Sequence, residues 1–136
     1  MTTSEPALTR PAPAPDAGPL DERFYDLVEA RFRRLVRDHP PLATYLGIHT
    51  YDDQLGDGSR DAVEGELAAE KTHLAAIEAL DPDGLSASAR FERDLELHNV
   101  RRSIFDLEVI RLWERRSTAI DAVGDACFSV FARDFA

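Results

Sequence analysis

The chain has a single cysteine, Cys127, so no internal disulfide is possible. That suits a reducing compartment. A lone cysteine on an apolar helical face is expected as a small buried hydrophobe rather than a nucleophile. No apolar run approaches the roughly 20 residues needed to span a bilayer. The N-terminus carries no apolar segment of the secretory kind. The default location is therefore the cytoplasm.

Basic residues are in deficit, with 16 Lys and Arg against 26 Asp and Glu and a formal charge of −10. Nucleic-acid binding draws much of its affinity from phosphate neutralisation by a basic face. Attraction to anionic lipid needs the same face. Neither nucleic acid nor membrane is an expected partner, and the acidity reads first as solubility.

Strand signals are missing as well. No segment alternates apolar and polar residues for long enough to argue a strand. There is no P-loop, no G-x-G-x-x-G and no H-E-x-x-H. Asp52, Asp53 and Asp57 fall short of the EF-hand pattern. Ser59, Ser86, Ser103, Ser117 and Ser129 lack a nucleophile-elbow context. No residue is assigned as catalytic or as a metal ligand, and no cofactor is expected in this chain.

What is present reads as helix. The 136 residues suit one domain, with 43% hydrophobic and 31% charged residues and a lean toward Ala, Leu, Glu, Asp and Arg. Residues 1–20 form a tail. Pro6, Pro11, Pro13, Pro15 and Pro19 fall there among Ala, Thr and Ser. That composition predicts disorder, because too little apolar surface is available to offset ordering. The helical domain follows over residues 21–136.

A first helix is predicted from Asp21 to Asp38 or His39. Phe24, Val28, Phe32 and Leu35 give it an apolar face. Arg23, Arg31, Arg33, Arg34 and Arg37 lie elsewhere on it. An anion site is one reading of that run, and a solvated or acid-paired face is the stronger one. The helix must stop before Pro40, since a residue preceding proline avoids the α region.

The stretch His39–Ser59, HPPLATYLGIHTYDDQLGDGS, is the corner of the chain. Pro40 or Pro41 opens a short helical turn, Gly47 stops it, and Ser59 caps the next helix. That helix runs from Arg60 to about Leu80 on Val63, Leu67, Leu74 and Ile77. Asp81-Pro82-Asp83-Gly84 breaks it. Leu85-Ser86 then opens a third helix, expected to run unbroken to Arg115 or Arg116. Its apolar positions include Phe91, Leu95, Leu97, Val100, Phe105, Val109 and Trp113. The stripe widens past Val100, which predicts that the later half is the more buried. A fourth helix, capped by Ser117 or Thr118, is expected on Ile120, Val123, Cys127, Val130 and Phe131. The fold expectation is all-α: about four amphipathic helices and a short helical turn, packed as antiparallel hairpins or a bundle.

The histidines are His39, His49, His73 and His98. Asp94 with His98 and Glu70 with His73 have helical spacing, and either pair is at most half a metal site. Ordinary surface pairs are the stronger reading.

The corner carries a resemblance. A helix ending in His-Pro, then Ala-Thr-x-x-Gly, Tyr-Asp and a Gly-Asp-Gly-Ser turn resembles the N-terminal portion of the bacterial family called domain of unknown function 885. LDPDGLSASARFERDLEL, Trp113 and the closing FARDFA extend the likeness over roughly Phe24 to Ala136. Members of that family are longer and similar to helical zinc metallopeptidases of the thermolysin-like superfamily. Their H-E-x-x-H motif lies downstream of this region. The resemblance thus implies zinc and a peptide substrate in full-length relatives only. It implies that this chain is inactive alone, and it makes His39, Tyr45, His49, Tyr51 and Asp52 candidates for lining a cleft. The apolar close at Val130, Phe131 and Phe135 fits a truncated N-terminal piece. Helix faces deprived of a partner would then promote self-association. The alternative is a self-contained helical protein-interaction module. A weaker third reading is a metal-dependent enzyme using Asp94 and His98.

Overall fold

Asp21 and Glu22 place two acids at the positive end of the first helix, α1 (Asp21–Asp38), and His39 ends it immediately before Pro40. The computed structural model describes residues 17–115 together with Pro15, Val123, Gly124, Cys127 and Phe128. Most of the expected tail, and most of the fourth helix over residues 117–131, lie outside the described residues. Val123, Gly124, Cys127 and Phe128 of that helix are helical and exposed, and the exposure of Cys127 corrects its expected burial.

Pro40 occupies the first turn of α2 (Pro40–Tyr45), where its missing N–H costs nothing. Gly47 stops α2 at φ 81°. The Gly47 N–H donates to the Thr44 carbonyl at 3.0 Å and the Ile48 N–H to the Ala43 carbonyl at 2.8 Å. That pair of bonds is the Schellman closure, which needs a left-handed residue and hence glycine. A 3₁₀ turn, His49–Tyr51, follows.

The Ser59 hydroxyl accepts from the Ala62 N–H and opens α3 (Arg60–Glu78). A second 3₁₀ turn, Pro82–Gly84, reverses the chain. The Ser86 hydroxyl accepts from the Ala89 N–H and opens α4 (Ala87–Phe105). Both serines supply an acceptor to a helix start that otherwise leaves its N–H groups unpaired.

The expectation of an unbroken helix to Arg115 is corrected here. After Phe105 the chain widens into a π turn over Asp106–Ile110, and Arg111 takes a left-handed φ of 51° before α5 (Leu112–Arg115). The Arg111 N–H donates to the Asp106 carbonyl, five residues back. A left-handed non-glycine residue is unfavourable by roughly 1–2 kcal/mol. Bonds around Trp113 offset that cost: its Nε1 donates to the Leu107 carbonyl at 3.1 Å. The guanidinium groups of Arg60 and Arg111 lie 4.9 and 5.6 Å from its ring centre.

The described residues are all-α, with no strand among them. α3 and α4 run antiparallel: Ile77 meets Arg93, His73 meets Glu96, and Lys71 meets Glu108. α1 runs alongside α4 in the same direction, because Asp21 meets Ser86 and Arg31 meets Glu96. Three long helices thus share one centre. Phe24, Ile77, Leu80, Leu85, Ala89 and Leu97 form the core near the Pro82–Gly84 turn. Burying a side chain of the Ile77 kind contributes roughly 1.5–3 kcal/mol.

Residues 18–20, the end of the expected tail, dock on this turn. The Leu20 N–H donates to the Gly84 carbonyl at 3.1 Å. A Cβ on Gly18 would sit 2.5 Å from that same oxygen.

The burial expected along α4 is reversed. Ala89, Arg93, Glu96, Leu97 and Val100 face inward, whereas Phe91 is 72% exposed and Leu95 52%. Past Val100, Phe105, Val109 and Leu112 are all at least half exposed. The reason is geometric. α1 meets the first half of α4, through Asp21 at Ser86 and Arg31 at Glu96. α3 reaches the second half through Glu78 at Arg101, and the π turn through Lys71 at Glu108.

Candidate functional site

Two interior carboxylates sit where the three long helices meet. Glu70 lies on the apolar face of α3 in the series Leu67, Glu70, Leu74, Ile77, and it is completely buried. Arg31 of α1 holds it through Nε, at 3.1 and 3.2 Å from the two carboxylate oxygens, and through Nη2 at 2.9 Å. Arg34, one turn on, donates Nη2 to the other oxygen. Glu96 of α4 accepts a longer bond from Arg31 Nη1 at 3.4 Å and sits 2.9 Å from His73 Nε2. Beside them, the buried Arg93 Nε donates to the Ile77 carbonyl at 3.3 Å, tying α4 to α3.

The electrostatics are self-contained. Burial of Arg31 works against its charge, but the hydrogen bond and charge of Glu70 outweigh it and hold its pKa above the usual value. Burial likewise opposes ionisation of Glu96. The His73 hydrogen bond and the Arg31 charge prevail, so its carboxyl titrates below the ordinary range. Arg31, Glu70, Glu96 and His73 thereby pair across three helices, and Arg34 adds a bond from Nη2 to Glu70.

A groove of about 500 Å³ opens on one side of this network, between α1 and α3. Leu27, Ala30, Ala69 and Ala76 form its apolar part, with Arg31, Arg34 and His73 among the polar residues around them. Arg34 Nε is buried there and has no hydrogen-bond partner. The carboxylates are engaged by arginine and histidine. The arrangement clamps the three helices to one another.

None of the five cleft candidates lines this groove. His39 closes α1, its Nε2 lies 3.2 Å from Glu66 Oε1, and that hydrogen bond raises its pKa against the opposing effect of burial. His49 Nδ1 lies 2.8 Å from Asp52, whose other oxygen accepts from the Thr44 hydroxyl at 2.7 Å. The Thr44 bond, ahead of the His49 contact and against some burial, holds the Asp52 carboxyl low. Tyr45 is 54% exposed on α2, and Tyr51 is half-buried in the 3₁₀ turn. The corner thus brings His49 and Asp52 together around Thr44 and leaves His39 with α3.

The paired acids and histidines of the helices separate. Glu70 turns to Arg31 and Arg34, while His73 turns to Glu96. Asp94 lies 3.5 Å from Arg93. Among the described residues no three His, Cys, Asp or Glu side chains are grouped to hold a metal. The sequence places Arg31 and Arg34 in a solvated or acid-paired run and gives Arg93 and Glu96 no motif of their own. A signal existed: Arg93 and Glu96 share helical spacing with Ala89, Leu97 and Val100.

A second feature lies on the outside of α4. Phe91, Leu95 and Phe105 of α4 are exposed along one line that His98 and Arg102 complete between them, and Val109 of the following π turn is exposed beyond it. Along α4 the steps are four, three, four and three, the spacing of a helix–helix seam. No described helix is long and apolar enough to cross a membrane. Comparison with protein-family models, curated proteins and solved structures gives no match.

Proposed function

We propose that the chain is a non-catalytic helical docking unit whose contact face is the outer line of α4. The observation that carries this reading is that line itself: three large apolar side chains, Phe91, Leu95 and Phe105, each at least half exposed, at seam spacing, with Val109 of the π turn exposed beyond them. The interior network supports it, because three helices riveted by Glu70 and Glu96 present a rigid face rather than a reactive one. Under the resemblance to the domain of unknown function 885 family, the face packs against the catalytic part of a longer, zinc-dependent peptidase. The chain alone then has no peptidase activity, and the His49–Asp52 corner is structural or lies at the rim of a substrate channel.

Expression of the complete reading frame from the source locus, beside this chain, tests the proposal. Peptide hydrolysis with zinc is expected from the longer product and not from this chain. Zinc-dependent hydrolysis by the chain itself would overturn the docking role. A downstream frame without H-E-x-x-H would remove the peptidase half and leave the second reading, a self-contained interaction module. That second reading is favoured by the core of Phe24, Ile77, Leu80, Leu85, Ala89 and Leu97, which α1, α3 and α4 close among themselves.

A further inference from the structure

The outer seam of α4 is apolar at both ends and polar in the middle. Phe91 and Leu95 form one end, and Phe105, with Val109 of the π turn just beyond it, the other, with exposures between 50% and 72%. Between them stand His98 and Arg102, both exposed. Arg102 reaches Asp106 on its own helix at 3.8 Å, a loose pair on a side chain that is 74% exposed. A polar residue inside an apolar seam selects the partner more than it adds affinity.

We propose that the occupant of this seam is an amphipathic helix carrying a carboxylate at its centre, flanked by apolar residues. The inference rests on the docking role assigned to α4 above. Charge complementarity decides against a second copy of this chain. An antiparallel pair, in the register that matches apolar ends, sets Arg102 of each copy beside His98 of the other. It also brings Asp94 near Glu108, acid against acid. A parallel pair sets Arg102 against Arg102. A carboxylate opposite Arg102 and His98 instead gives a charge-assisted hydrogen bond at the one place on the seam that lacks apolar contact. Exposed acids beside the seam, Asp94 (71% exposed side chain) and Asp106 (55%), match lysine or arginine on the flanks of the partner.

Two synthetic helical peptides of about three heptads test this. Both carry leucine opposite Phe91, Leu95, Phe105 and Val109, with lysine on the flanks. One has glutamate opposite His98 and Arg102, and the other has lysine there. Fluorescence anisotropy with the full chain at low salt is expected to show the glutamate peptide binding at least about tenfold tighter. Arg102→Glu should reverse the order, and Leu95→Asp should abolish binding of both. Circular dichroism confirms that each variant remains folded. Equal binding of the two peptides would overturn the charged centre and leave the docking face standing. Binding of neither would overturn both, and a dimer that Leu95→Asp dissolves would make a second copy the occupant.

Discussion

Arg31 and Glu70 are 39 residues apart in sequence and meet side-on in the interior, with Nε and Nη2 of one facing both oxygens of the other. The contact fixes α1 against α3 by direction as well as by distance, since a planar fork meets a carboxylate in few orientations. A buried pair of this kind adds little net stability over a well-packed apolar pair, yet removing one member is costly.

Glu70→Gln is therefore expected to lower the unfolding free energy by roughly 3 kcal/mol, at the low end for buried pairs because Arg34 is one-fifth exposed. Urea unfolding measures it. A change below 1 kcal/mol would mean that water reaches the arginines freely.

Glu96 gives the acid side of the stability profile. Its folded pKa is depressed, so its contribution is complete above the unfolded carboxylate value, about 4.3, and disappears as pH falls through the lower folded value. Urea midpoints taken downward from neutral pH should decline in that window. Glu96→Gln should flatten the decline, and an unchanged slope would assign it to other carboxylates.

His39 acts in the opposite sense. Its folded pKa is raised by Glu66, so the stability it adds is full below its unfolded pKa and is lost as pH rises through the folded one. The imidazole signal in NMR titration should move to lower pH in Glu66→Gln. No movement would assign the shift to other groups around His39.

The glycines separate by location. Gly65 lies within α3 with open space where a Cβ would be, so Gly65→Ala should stabilise by roughly 0.5–1 kcal/mol. Gly18→Ala should destabilise, because its Cβ would meet backbone atoms of Gly84, Leu85 and Ser86 within 2.8 Å. Thermal melting of the two variants compares them directly, and shifts of the same sign would contradict the docking of residue 18 on the turn.

The features legible in sequence are the local ones. Pro40, Gly47, Ser59 and Ser86 announce helix ends through bonds spanning three to five residues. The inward side of α4 was hidden because Phe91 and Leu95 are the bulkier members of an ambiguous helix. A hydrogen bond to the Ile77 carbonyl draws Arg93 inside, and pairing with Arg31 and His73 draws Glu96. No periodicity in a single sequence reveals that Arg31 finds Glu70, since that contact exists only after α1 and α3 are packed. The left-handed Arg111 was equally hidden, as nothing in residues 106–111 resembles a helix stop.

The Pro82–Gly84 turn also orders events in time. α3 and α4 need only this short reversal to meet, whereas the hydrogen bond from the Ser86 N–H to Asp21 closes a span of 65 residues. Loop-closure entropy and the effect of contact order on rate both place the α3–α4 hairpin early in folding and the arrival of α1 late. By the same reasoning α1 is the first long helix to leave. Its amides should exchange with solvent through openings smaller than global unfolding, while those around Ile77 and Leu97 wait for the whole structure to open.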